Sequence, residues 1–283
     1  MGDLQVFFFP MMSQGHMIPT LDVAKLFAAC NGVKSTIITT PLNAHVFTKA
    51  IEEANHSGIN ISLRTIKFPT AEVGLPIDCE SFDLLTSDDM IANFFKAIAM
   101  LQDQLEQILQ ECRPDCLVAD LFFPWTTESV GKFNIPRIVF HGISFFALCA
   151  SENRRLYKPQ KTVLSDDESF VILNLPHQIK LMRIRVVEKL NEAELRSYGV
   201  IVNSFYELEP DYVDHYKNIL GRRAWHIGPV SLCNRETKDK AHRGKEASIN
   251  EHECLKWLNL KKPNSVIYIC FGSVMAIGLE AFG

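Results

Sequence analysis

Residues 4–20 read Leu4-Gln5-Val6-Phe7-Phe8-Phe9-Pro10-Met11-Met12-Ser13-Gln14-Gly15-His16-Met17-Ile18-Pro19-Thr20. The apolar run 4–10 has the length of a single buried strand and closes on a proline, and from residue 17 to about 30 the apolar positions take on helical spacing. A strand that passes within a few residues into a helix is the opening unit of an α/β domain. The unit recurs along the chain. Short β-branched or aromatic runs predict further strands at 35–40, 61–66, 115–119, 136–140, 199–203 and 224–227. Between them the spacing predicts helices at about 43–55, 87–111, 123–133, 144–157 and 207–219, bounded by punctuation such as Gly32, Pro114 and Pro136. The pattern predicts a doubly wound, Rossmann-like parallel sheet, for which the common central strand order is 3-2-1-4-5.

Two segments break the alternation. Residues 158–198 hold Pro159, Pro176 and the acidic Asp166, Asp167 and Glu168, and read as a surface loop followed by a helix over about 186–196. Residues 234–253 are almost wholly polar and charged, which fits either an interdomain connection or a charged helix face. After them come a short helix at about 251–258, an apolar strand at 265–271 and the turn Gly272-Ser273.

Composition narrows the function. The 283 residues are 47% hydrophobic and 22% charged, and 29 basic against 33 acidic residues give a net charge of -4. That balance has no basic footprint for a polyphosphate backbone, so a nucleic acid partner is not expected. The 8 cysteines form no Cys-x-x-Cys pair and have no neighbouring histidine set, so they read as reduced thiols and not as zinc ligands. The run 4–10 is too short to span a membrane and follows Asp3, where a signal peptide would begin with basic residues. Gly2 is not a myristoyl acceptor by motif, because Val6 stands where Ser or Thr is required. A cytoplasmic protein without stable membrane insertion is expected.

In an open parallel sheet the ligand sits beyond the carboxyl ends of the strands, where the strand order reverses. For the expected order that place lies between the first and fourth strands. The first strand runs into His16 at or near the start of the first helix, and the fourth ends at Asp120. A histidine at a helix N-terminus feels the positive end of the dipole, which disfavours the imidazolium. A carboxylate beside it acts in the opposite sense: it holds one ring N–H and stabilises the ring once the other nitrogen has taken a proton. The pair suits a general base acting on a hydroxyl. Spacing alone leaves open a His16 that merely ends a helix and an Asp120 that caps the helix at 123–133.

Competing motifs fail on their residues. A nucleophile elbow needs glycine two residues before Ser13, where Met11 stands. Gly15 is alone after the first strand, so neither the dinucleotide fingerprint nor the P-loop is present.

The stretch Phe9 to Thr20 resembles the opening of plant UDP-dependent glycosyltransferases of secondary metabolism. Further matches follow in order: Leu117-Val118-Ala119-Asp120 with Phe122-Phe123-Pro124-Trp125, Gly199 to Glu209, Trp225-His226-Ile227-Gly228-Pro229-Val230, Cys254 to Leu258, and Ser265 to Ser273. The resemblance implies a GT-B fold of two Rossmann-like domains. The N-terminal one holds a small-molecule acceptor such as a flavonol or triterpenoid, and the C-terminal one holds a UDP-sugar, with glucose as the expected sugar. It further implies that His16 is the base on the acceptor hydroxyl and Asp120 its partner, that configuration inverts, and that the UDP-sugar is a co-substrate with no metal or other cofactor. Phe122, Phe123, Trp125, Phe145 and Phe146 flank the expected cleft, with Phe122, Trp125 and Phe145 as the candidate acceptor walls beside His16. Ser273 matches a position that contacts the nucleotide phosphate.

The chain departs from the family pattern in two ways. Met275 to Gly283 follows Ser273-Val274 without the usual polar loop and helix, and the long UDP-sugar motif with its His-Cys-Gly-Trp-Asn-Ser run does not occur. The expectation is therefore an acceptor-binding domain over 1–240, a connection with a short helix over 241–264, and only the start of the donor-binding domain over 265–283. A catalytically inactive acceptor-binding fragment is the alternative function.

Overall fold

The computed structural model describes residues 3–163, 165, 168–182, 188–234 and 251–269. In chain order the elements are β1 (Leu4–Phe9), α1 (Gln14–Ala28), β2 (Val33–Thr39), α2 (His45–His56), β3 (Ile61–Thr65), α3 (Asp88–Met100), α4 (Gln102–Cys112), β4 (Cys116–Asp120) and α5 (Thr126–Gly131). There follow β5 (Arg137–His141), α6 (Phe145–Tyr157), β6 (Ser169–Ile172), β7 (Ile179–Met182), α7 (Glu188–Leu195), β8 (Gly199–Val202), α8 (Pro210–Asp214), β9 (Ala224–His226) and, after the residues outside the description, α9 (Glu251–Asn259).

The three consecutive phenylalanines of β1 explain the layering. Phe7 and Phe9 point into one apolar cluster with Phe94, Leu101, Leu105 and Phe123. Val6 and Phe8 point into another with Met17, Leu21, Phe47 and Ile51. Successive strand residues face opposite sides, so the run Val6 to Phe9, apolar at every position, must be covered on both, here by α1 and α2 on one side and α3 and α4 on the other. Phe8 and Phe9 are fully buried, and each such side chain contributes about 1.5–3 kcal/mol relative to exposure.

The main sheet has seven strands in the order β3-β2-β1-β4-β5-β8-β9, all neighbours parallel. The chain winds outward from β1 through β2 to β3, then returns to lay β4 on the other side of β1. The order thus reverses between β1 and β4, which pair with Phe9 opposite Ala119.

Several elements differ from the sequence reading. The helix expected over 87–111 is broken at Leu101, whose amide bonds Ile98 three residues back before α4 resumes; the bend lets both helices bury Phe94, Leu101 and Leu105 in one cluster. The helix expected from 123 begins only at Thr126, because residues 120–125 turn tightly around Pro124, with the Phe123 amide bonded to the Asp120 carbonyl. The surface loop expected after 158 contains the antiparallel pair β6 and β7, in which Phe170 and Ile172 are buried. The strand expected at 265–271 is not formed over 265–269; Ile267, Tyr268 and Ile269 are largely exposed there, and a strand needs a neighbour for its backbone groups. Cys270, Phe271 and most of the connection expected over 234–253 lie outside the described residues. Among the described residues no helix is long and apolar enough to cross a membrane.

Candidate active site

The helix begins at Gln14, earlier than the apolar spacing predicts, so His16 is its third residue. Asp120 is the last residue of β4. The adjacency of β1 and β4 brings them together: His16 Nδ1 lies 2.6 Å from Asp120 Oδ2. The Asp120 side chain is 3% exposed and that of His16 34%. An ionised carboxylate only accepts, so the proton of this contact is on Nδ1 and Nε2 keeps a free lone pair. The second carboxylate oxygen accepts the Phe122 N–H at 3.1 Å. Neither side chain therefore caps a helix; α5 has Trp125 at its N-cap and no side-chain cap. Arg137, buried on β5, donates to the Asp120 carbonyl at 2.9 Å and to Thr127 Oγ1 at 2.6 Å, fixing the end of β4 from the next strand. Burial pushes the Arg137 guanidinium down to about 10.

Burial by itself lowers the pKa of His16, but the hydrogen bond to Asp120, the Asp120 charge and the more distant Asp83 charge outweigh it, and the ring titrates above its ordinary value. The rise has the sign expected of a carboxylate that holds one ring N–H and stabilises the imidazolium.

The aromatic residues divide sharply. Phe122 meets the His16 ring edge-on at 5.7 Å. Phe95 from α3 lies 6.0 Å from Phe122 and is 37% exposed, and Phe82 lies 6.1 Å from Phe95. These three rings form an apolar wall that starts at the histidine. Phe145 is fully buried against Tyr216, which corrects its reading as an acceptor wall, since its ring has no face left for a ligand. Phe123 is likewise buried, stacked 4.2 Å from Phe9, and Trp125 packs edge-on against both. Phe146 rests on Tyr212. Ser273 lies outside the described residues.

Sequence reasoning missed Phe95 and Asp83. The pair Phe94-Phe95 carried a signal for the first, because adjacent helical residues cannot both face the core, and here Phe94 is buried. Asp83 carried none, since it meets α1 from a loop 70 residues away.

A second titratable cluster stands at the end of β5. His141 Nε2 lies 2.7 Å from Glu194, to which Tyr216 donates at 2.8 Å. Burial raises the Glu194 carboxyl, but the His141 charge and the hydrogen bonds of His141 and Tyr216 bring it below its ordinary value. The His141 ring is 2% exposed, against 34% for the His16 side chain; the cluster ties β5, α7 and the segment 215–219 together. Among the described residues no group of three or more His, Cys, Asp or Glu side chains is placed to hold a metal ion.

No family model matches the chain. A scopoletin glucosyltransferase from Nicotiana tabacum is 57% identical, aligned to 100% of this chain and 64% of its own length. The UDP-glucose flavonoid 3-O-glucosyltransferase 7 of Fragaria ananassa is 51% identical over 99% of this chain and 61% of its own. The crystal structure of a Glycyrrhiza uralensis UGT complexed with glycyrrhetinic acid 3-O-monoglucuronide superposes with a TM-score of 0.84 at 35% identity, covering 96% of this chain and 57% of that one. The chain thus spans less than two thirds of the length of these relatives.

Proposed function

The chain belongs to the plant UDP-glycosyltransferases, and on that premise we propose that it is the acceptor-binding half of an enzyme that transfers glucose from UDP-glucose to a hydroxyl of a small aromatic metabolite. On this reading residues 1–240 belong to the acceptor domain, 241–264 to the connection and 265–283 to the start of the donor domain, and Ser273 is the candidate contact of the nucleotide phosphate. Glucose is favoured because both the Nicotiana tabacum and the Fragaria ananassa relatives are named glucosyltransferases. A coumarin or flavonol fits the planar faces that Phe122 and Phe95 offer beside His16. The free thiols of Cys30, Cys79, Cys112, Cys116, Cys149 and Cys254 fit a cytosolic protein.

The observation that carries the reading is the 2.6 Å contact of a partly exposed imidazole with a buried carboxylate at the reversal of strand order. In the reaction the acceptor hydroxyl donates its proton to His16 Nε2 while its oxygen bonds the anomeric carbon from the face opposite UDP. The bond from that carbon to the UDP oxygen breaks, so the configuration inverts, the proton rests on the histidine and the electron pair leaves with UDP. Asp120 stabilises the imidazolium as it forms. A phenol of pKa ~10 faces an ordinary histidine of ~6.5, an uphill transfer that the carboxylates ease and that coupling to the attack completes.

The test is calorimetric titration with scopoletin, quercetin and UDP-glucose in separate runs, together with product analysis when donor and acceptor are mixed. The expected result is acceptor binding in both wild type and His16→Ala and, in a protein that also carries the donor half, glucoside formation lower by about 10²–10⁴-fold in the variant. Failure of both aromatic acceptors to bind, or equal product formation with and without His16, refutes the reading.

A further inference from the structure

We propose that Asp83 is a positioning residue for His16, anchoring the first turn of α1 from the loop that joins β3 to α3 and adding a second carboxylate to the field around the ring. The inference rests on His16 as the base and concerns how that base is held.

The start of α1 lacks a cap of its own. Ser13 has the extended backbone of an N-cap residue, φ -149° and ψ 144°, yet its side chain accepts no helix amide. In the usual capping box the third helical residue is Glu or Gln, reaching back to the cap; here that position is His16, whose ring is turned to Asp120. The orphan donors are satisfied from elsewhere. Asp83 Oδ2 accepts the Gln14 N–H at 2.9 Å, and Oδ1 accepts the Ser13 hydroxyl at 2.8 Å. Ser81 Oγ supports the carboxylate at 3.3 Å.

The segment that carries Asp83 is itself clamped. The Phe82 N–H donates to the Met12 carbonyl at 2.7 Å and Ser81 Oγ to the same carbonyl at 3.2 Å. Glu80, buried, accepts the Leu42 N–H at 2.9 Å, and its carbonyl accepts the Asn43 amide at 2.8 Å. Residues 80–83 therefore bind the loop after β1 and the loop after β2 at once, and place Phe82 in the aromatic wall. Two carboxylates on one short turn serve two helix starts, and one of these is the turn that carries His16. A displacement of about 1 Å in a reacting group can cost about 10²-fold in rate, so a brace on this turn has functional weight.

The charged groups that face His16 are Asp120 from β4 and Asp83 from the turn Phe82–Leu84; burial opposes both, and the Asp83 charge adds to the rise in the ring's pKa. The sign follows. Removing the Asp83 charge while keeping an acceptor oxygen must lower the histidine's midpoint.

The experiment is an NMR titration of the His16 ring in wild type, Asp83→Asn and Ser13→Ala, with thermal unfolding of each. In Asp83→Asn the amide oxygen still accepts the Gln14 N–H, so the fold is retained and the His16 midpoint falls. In Ser13→Ala the charge remains and the midpoint stays near wild type. An unchanged midpoint in Asp83→Asn, or an equal fall in Ser13→Ala, overturns the proposal, the latter because the effect would then travel through loop packing. Should Asp83→Asn fail to fold, Asp83→Glu decides: the charge is kept while the cap is displaced, so the midpoint must stay raised, and a fall refutes. The titration reads Asp83 whether or not His16 is the base, which loss of glucoside formation in His16→Ala tests separately.

Discussion

Replacing Asp120 by asparagine is the sharpest perturbation of the site, because it changes one atom and reverses the direction of one hydrogen bond. The introduced amide can keep its oxygen toward the Phe122 N–H, the contact that holds the loop after β4. Its NH2 then faces His16 Nδ1, which must become the acceptor, so the ring proton moves to Nε2 and the lone pair that the proposed mechanism requires is lost. A hydrogen bond to a charged partner contributes about 1.5–3 kcal/mol. With 34% of the His16 side chain exposed, solvent screening places this one near the lower end, about 1.5 kcal/mol. At about 2–4 °C per kcal/mol for a chain of this size, the melting temperature should fall by about 3–6 °C.

The pH dependence has a definite sign. His16 titrates above its ordinary value in the folded protein, so the charge-dependent stabilisation is fully present below the unfolded midpoint of about 6.5 and is lost as pH rises through the folded one. The stability gap between wild type and Asp120→Asn must narrow between about pH 5.5 and about pH 9. Nitrogen-15 shifts of the His16 ring report the tautomer directly, and urea unfolding at the two pH values reports the gap. An Nδ1–H tautomer that survives in the variant, or a gap that stays constant or widens with pH, would show that Asp120 does not hold the ring as argued.

Phe95→Ala removes an exposed ring that packs on Phe122; losing one face of contact with a planar acceptor costs about 1 kcal/mol, so calorimetry should find quercetin bound about 5-fold more weakly, and unchanged affinity would take this ring out of the wall. Glu209→Ala strips the acceptor from the Phe145 and Phe146 amides at the start of α6 and from the Ser204 hydroxyl; two orphaned backbone donors at about 1–3 kcal/mol each predict a loss of about 3–5 kcal/mol in urea unfolding, and a loss below about 1 kcal/mol would refute the capping role.

The matched segment Gly199 to Glu209 illustrates how a motif can be legible while its purpose is not. Its last residue receives the N-terminal amides of α6, and Asn203 accepts the Val230 N–H at 3.0 Å. A methyl group on Gly228 would stand 2.5 Å from the Asn203 side chain. These are ties between segments, and nothing in the local pattern announces them.

The order of strands and the pairing of His16 with Asp120 could be read from the sequence because both follow from local rules. Short apolar runs and helical spacing mark the strands of the main sheet and most helices, though not β6 and β7, short connections restrict how parallel strands can be ordered, and a site at the reversal of that order draws attention to the ends of β1 and β4. The two residues found there have complementary chemistry, so their meeting could be anticipated. Which aromatic rings turn outward, and what holds the first turn of α1, emerged only in the packed chain. Phe122 and Phe145 are alike as sequence, yet one lies beside the histidine and the other is sealed against Tyr216. Asp83 reaches Ser13 and Gln14 across 70 and 69 positions. Such contacts depend on how separate loops pack over the sheet edge, and packing between distant segments leaves no period in the chain that forms them.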